Sequence, residues 1–137
     1  MNTELISRRT LAESERADFV HALFGPNFPL RLEPTIFTMA GMLAEDYNGG
    51  LWQFYVLANG GFYMAPDVDR GFEVSCENGF EGTLSADALG ITACLYSYSH
   101  LSFGEGGFAE TCTTQYHLLR EYTLDHAESG AILAACD

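Results

Sequence analysis

The residues able to carry chemistry are few and widely spaced. His117 and Glu121 stand four apart in a helical pattern, with His126 beyond, and side chains at that spacing share one side of a helix where both can face a metal ion. Two ligands do not close a zinc site, and His-x-x-x-Glu pairs are common on wet helix faces, so no metal is expected. Glu45 and Asp46 form an adjacent carboxylate pair. Acid–base work by such a pair needs surroundings that push the two pKa values apart, whereas neighbours on a helix diverge by about 100° and point to different faces. A small hydrolase built on Glu45 and His117 would also lack a nucleophile. There is no Gly-x-Ser-x-Gly elbow, Walker loop or dinucleotide fingerprint. Asn48-Gly49-Gly50 and Asn59-Gly60-Gly61 have the wrong spacing and read as a helix stop and a hairpin turn. Neither an enzyme nor a cofactor is expected. Cys76, Cys94, Cys112 and Cys136 lie far apart without a C-x-x-C pair, and are read as free thiols.

Recognition chemistry is better represented. Trp52, Phe54, Tyr55, Phe62 and Tyr63 make the most aromatic stretch, and strand alternation would put Trp52 and Phe54 on one face with Gln53 and Tyr55 on the other. One set must fill the core. An aromatic left exposed beside Glu45 or Asp46 would anchor a partner, because Trp and Tyr dominate interface energetics. Glu45, Asp46, Trp52 and Tyr55 are therefore the candidate partner-binding residues.

The elements that must position these groups follow from periodicity. Thr10 with Glu13 predicts a capping box, followed by a helix with Leu11, Ala12, Phe19, Val20 and Leu23 inward, ending near Phe24 ahead of Gly25-Pro26. Gly25 to Pro34 reads as an ordered surface connection. A second helix begins with Pro34 in its first turn, carries Ile36, Met39, Ala40, Leu43 and Tyr47 at helical spacing, and stops at Asn48-Gly49-Gly50. Two hairpins follow, Trp52–Leu57 to Phe62–Met64 through Asn59-Gly60, and Phe72–Cys76 to Phe80–Leu84 through Asn78-Gly79. Ser85 caps a third helix with its apolar face from Leu89 through Ala93 to Tyr96. A fourth runs from about Phe108 to Leu124 with Phe108, Cys112, Tyr116, Leu119 and Tyr122 inward, and a short fifth covers Ala131 to Ala135. Helices grouped around successive hairpins define an α+β class: one compact domain over residues 1–137, an antiparallel sheet flanked by four to five helices, and a flexible lead-in at residues 1–9.

Composition narrows the function. The 137 residues carry 19 Asp and Glu against six basic residues, all arginine, for a formal charge of −13, while 47% are hydrophobic and 13% aromatic. A core is affordable without a staple. Six scattered arginines cannot supply the basic face that displaces counterions from a nucleic acid, so direct DNA or RNA binding is excluded as an expectation. The acidic surface keeps the chain soluble, steers it to a basic partner, or imitates a phosphate array. No window approaches eighteen apolar residues and Met1 to Thr10 lacks the apolar run of a secretory signal, which places the expected location in the cytoplasm, away from membranes.

The run Glu45-Asp46-Tyr47-Asn48-Gly49-Gly50-Leu51-Trp52-Gln53-Phe54-Tyr55, followed by Asn59-Gly60-Gly61-Phe62-Tyr63-Met64-Ala65-Pro66, resembles the KlcA/ArdB family of antirestriction proteins. Ser85 to Ile91, Tyr98-Ser99-His100 and Tyr116 to Tyr122 continue the likeness in order. The resemblance implies a compact mixed α/β fold and relief of type I restriction for incoming plasmid or other mobile DNA. Two mechanisms are compatible with it. A patch around Asp46, Trp52 and Tyr55 would bind the restriction enzyme or a host factor it depends on, or the carboxylates would mimic DNA in the enzyme's groove. Mimicry needs negative charge spaced like phosphates, about one per 1.7 Å of duplex axis, and carboxylates in runs no longer than two favour the patch.

Overall fold

Asn59 closes the first hairpin with both ends of its amide. Its Oδ1 accepts the Gly61 N–H at 2.9 Å, its Nδ2 donates to Leu118 O at 2.9 Å, and Gly60 supplies the positive φ of 93° that the turn demands. In the computed structural model, which describes residues 5–137, the strands beside this turn are Trp52–Leu57 and Phe62–Pro66, paired antiparallel with Phe54 opposite Met64. A third strand joins them. Arg8–Thr10 pairs with the first hairpin strand, Arg8 opposite Leu57 and Thr10 opposite Tyr55, so residues 8 and 9 belong to the sheet, while residues 1–4 of the expected flexible lead-in lie outside the described residues. Three residues with no apolar alternation give no strand signal, because hydrogen bonding to an existing edge holds this segment. In chain order the strands are β1 (Arg8–Thr10), β2 (Trp52–Leu57) and β3 (Phe62–Pro66).

The second hairpin forms a separate sheet of β4 (Gly71–Ser75) and β5 (Glu81–Ser85), with Phe72 opposite Leu84. Its alternation is read out as expected, Phe72, Val74 and Leu84 inward, Glu73 and Glu81 in water. Asn78 repeats the amide device of Asn59. It accepts Phe80 N–H at 2.9 Å and donates to Ala134 O at 3.0 Å and Ala135 O at 3.2 Å, fastening the turn to the last helix.

Helix α1 is Glu13–Phe24 and α2 is Glu33–Leu43. The capping box lies two residues beyond its predicted place. Thr10 is committed to β1, and Glu15 accepts the Ala12 N–H at 2.9 Å instead. The expected surface connection is a wide π-helical turn at Phe28–Leu32 that runs straight into α2 and buries Phe28 and Leu32. Helix α2 stops at Leu43, short of the Asn-Gly-Gly stop. Ala44 turns extended at φ −127° and ψ 108°, and Tyr47 leaves the helix to accept the Trp52 indole N–H at 3.0 Å while packing edge-on against its ring.

Helix α3 spans Ala86–Ser102, α4 Gly107–Thr123 and α5 Ser129–Cys136. Ser85 caps α3 as expected, accepting Ala88 N–H at 3.1 Å. The predicted single apolar face is too narrow, since α3 is buried on almost every side by β3, α2, α4 and α5. Small and hydroxyl residues such as Ala88, Thr92 and Ser97 fit that position because each hydroxyl bonds the carbonyl one turn back, Thr92 to Ala88 and Ser97 to Ala93.

On α4, Cys112 and Leu119 are buried and Phe108, Tyr116 and Tyr122 half-buried, but periodicity overlooked Gln115. Its Oε1 accepts Phe62 N–H at 2.8 Å and its Nε2 donates to Gly60 O at 3.2 Å, satisfying the start of β3. Gln115→Leu keeps the volume and orphans both backbone groups. Urea unfolding is expected to show a loss of about 2 kcal/mol, within the usual cost of stranded buried polar groups. Among the described residues no helix is long and apolar enough to cross a membrane.

Candidate functional site

Period-two alternation sends Trp52 and Tyr55 to opposite faces of β2. Trp52 and Phe54 point into the core at 5% and 7% exposure, while Gln53 and Tyr55 take the opposite, half-buried face. Trp52 is therefore no surface anchor. It fills the space between Phe37 and Tyr47, with ring centroids 5.2 and 5.9 Å away. Glu45 and Asp46 are exposed in the turn after α2, not on a helix, so the helical divergence expected of them does not apply. Asp46 is gripped by Arg70, whose guanidinium donates to its carboxylate at 3.1 Å and its carbonyl at 2.8 Å while lying 3.9 Å over the Phe72 ring. Asp46 thus lies against β4, whereas Tyr55 belongs to a cluster on the opposite face of the first sheet from Trp52.

That cluster was not foreseen. Arg8 from β1 lies 4.2 Å over the Tyr55 ring and donates to Tyr63 Oη at 2.5 Å and to Asp87 Oδ1 at 2.6 Å. Tyr63 donates to the same Oδ1 at 2.7 Å, and Tyr55 stacks on Tyr63 at 4.9 Å. His126 reaches the other carboxylate oxygen at 2.8 Å. Because Glu128 N–H donates to His126 Nδ1 at 2.9 Å, the ring proton sits on Nε2 and is donated to Asp87. Glu128 in turn accepts Ser85 N–H at 2.9 Å and the Ser85 hydroxyl at 2.5 Å. Burial alone would raise the Asp87 carboxyl, but the bonds from His126 and Tyr63 and the charge of Arg8 outweigh it and hold the group below the usual carboxylate range. Burial and the neighbouring Asp87 push the Tyr63 phenol far above its ordinary value.

An Asp–His pair beside tyrosines resembles catalytic machinery, yet its bonding is closed. Both ring nitrogens of His126 are occupied, and Tyr63 Oη donates to Asp87 and accepts from Arg8. Neither ring nitrogen of His126 is open to take a proton from a nucleophile. The cluster is a clasp joining β1, β3, the first turn of α3 and the connection from α4 to α5. Glu45 and His117 share no hydrogen bond or pocket. His117 is exposed on α4, with Tyr116 edge-on to its ring. The thiols are poor nucleophiles as well. Burial pushes Cys94 and Cys136 up to about 12 and Cys112 to about 11, and all four are free.

A family model described as antirestriction protein matches residues 45–137, from the turn that carries Glu45 and Asp46 to the end of α5. The chain belongs to that antirestriction family. It is 39% identical to an antirestriction protein KlcA of Escherichia coli over the full length of both, and 36% identical to the putative antirestriction protein YubI of Escherichia coli K12 over 91% of this chain and 92% of that one. In three dimensions it matches, with a TM-score of 0.90 at 39% identity and complete coverage of both chains, a structure from work on KlcA and ArdB. Those proteins are described as showing a novel fold and antirestriction activity against type I DNA restriction systems in vivo but not in vitro. The two small antiparallel sheets and five helices are thus the fold of this family.

Proposed function

We propose that the protein relieves type I restriction of incoming mobile DNA by binding another protein, the restriction enzyme or a host factor on which it depends, and not by occupying the enzyme's DNA groove. Six of the nineteen carboxylates are engaged within the fold. Asp87 and Glu128 are consumed in the clasp, Glu15 in the α1 cap and an ion pair with Arg9, Asp46 in the pair with Arg70, Asp67 in a bond from Gln53 and Glu73 in one from Thr83. A phosphate mimic needs its charges free and in register along an extended face. The observation that carries the protein-binding reading is the in vivo but not in vitro activity described for the KlcA and ArdB proteins, because a groove-filling mimic would act on purified enzyme. The protein works without catalysis, in the cytoplasm where the enzyme meets unmodified DNA. Glu45 and Asp46 stay as candidate contacts.

The test combines two measurements. Unmodified phage plated on cells with a type I system is expected to survive better when the gene is present. Purified protein mixed with purified enzyme and labelled recognition-site duplex is expected to leave the duplex bound at low and moderate salt. Stoichiometric displacement of duplex that fades as the screening length shortens toward about 8 Å would install the mimic instead.

A further inference from the structure

Two depressions beside Glu45 and Asp46 are continuous, sharing Met42, Leu43 and Ser75, with cavity volumes of about 680 and 210 Å³. The smaller depression is mostly apolar, and the larger mixes apolar side chains with carboxylates. Met39, Met42 and Leu43 of α2 line the groove with Val74 and Cys76 at the β4 side and Tyr96 of α3, and Met42, which lines both depressions, is 64% exposed. Their rim is acidic throughout, formed by Glu45, Asp46, Glu73, Glu77 and Glu81, and no basic residue among the described residues lines either depression. The side chains of Glu45, Glu77 and Glu81 enter no hydrogen bond or ion pair among the described residues, in contrast to the carboxylates of the clasp.

We infer that this groove receives a basic amphipathic helix of the protein partner, an apolar side chain seated on Met42 and Met39 with arginines or lysines against the free glutamates. The inference rests on the protein-binding reading above. Charge complementarity selects the occupant, since an acidic segment would face five carboxylates of which only Asp46 has a countercharge, in Arg70. Methionines suit this groove because an unbranched, polarizable side chain adapts to the residue that enters, as in other grooves that take amphipathic helices.

The first measurement uses a synthetic amphipathic helix of about 14 residues, leucines on one face and arginines on the other, titrated into protein carrying methyl-labelled methionine. The Met39 and Met42 methyl signals are expected to move while Met64, fully buried in the core, stays. A scrambled peptide of equal charge is expected to move neither. Shifts that are the same for both peptides would overturn the inference, because acidity alone would then explain binding. The second measurement is restriction relief in cells. Met42→Glu, and separately Glu45→Lys with Glu81→Lys, are expected to cut relief about tenfold or more, whereas Glu121→Lys on exposed α4 is expected to leave it unchanged. All these positions are exposed, and unaltered melting curves would show that folding is not the cause. Full relief by the folded groove variants would overturn the groove alone. Displacement of duplex by the wild-type protein would overturn the protein-binding reading, so the two failures are separable.

Discussion

Gly90→Ala is expected to destabilise the protein by about 3 kcal/mol and to lower its melting temperature by roughly 10 °C, although alanine is the better helix former. The reason is the contact between α3 and β3. A Cβ at residue 90 would stand 2.4 Å from both Cα and Cβ of Ala65 and 2.5 Å from Met64 O, and the backbone among these atoms cannot rotate away as a long side chain would. Making room requires α3 to lift from β3, which loosens Leu89, Ile91 and Tyr63 in the centre of the core. The counterpart is Gly41→Ala. Residue 41 is also helical but has nothing within 4 Å of an added Cβ, so stability is expected to rise by up to about 1 kcal/mol. Urea unfolding of the two variants beside the wild type checks both signs. A neutral Gly90→Ala would mean that α3 and β3 are not in the close contact described.

Asp87→Ala is expected to cost about 2–3 kcal/mol at neutral pH, because it strands Tyr63 and His126 and leaves Arg8 without its carboxylate. Arg8 keeps access to water at 39% side-chain exposure, which holds the loss below that of a fully buried pair. The pH dependence follows from the direction of the Asp87 shift. Its folded pKa is depressed, so its contribution is fully present above the unfolded carboxylate value of about 3.9 and is lost as pH falls through the lower folded value. The gap in melting temperature between wild type and Asp87→Ala is therefore expected to narrow as pH falls below about 4. A gap that persisted at pH 2 would show that Asp87 acts by packing and not by charge.

Much of the architecture is legible because local rules and tertiary demands agree. Both hairpins lie where Asn-Gly dipeptides divide apolar strands, Ser85 caps its helix, and Trp52 and Phe54 share the buried face that alternation assigns them. Legibility ends where a segment takes its structure from a distant partner. Arg8–Thr10 has no strand pattern of its own, and the early end of α2 depends on a Tyr47–Trp52 contact that helical periodicity counts as one more apolar position. Gln115 is polar, so a search for apolar stripes passes over it even though it completes the start of β3.

The candidate site divides in the same way. Glu45 and Asp46 were found as exposed charge beside a turn, and the groove they border adds Met42, which helical spacing leaves off the inward face of α2. The residue type of Trp52 suggests an anchor, but its alternation partner Phe54 marks it as core. The clasp was invisible because residues 8, 63, 87 and 126 lie on no common period, and only the folded chain brings them together.

The clasp also bears on the order in which the chain matures during synthesis. Asp87 is made 79 residues after Arg8, and His126 a further 39 beyond that. At about 5–20 residues per second, roughly 4–16 s separate Arg8 from the synthesis of its carboxylate partner. Both hairpins are complete in the nascent chain before the clasp has all its parts. β1 is thus fully secured only after both hairpins are made, and until then Arg8–Thr10 is held by its ladder to β2 and by the contacts of Arg8 with Tyr55 and Tyr63. A protein fused ahead of β1 that held this segment away from β2 would delay closure of the clasp while leaving the hairpins free to form.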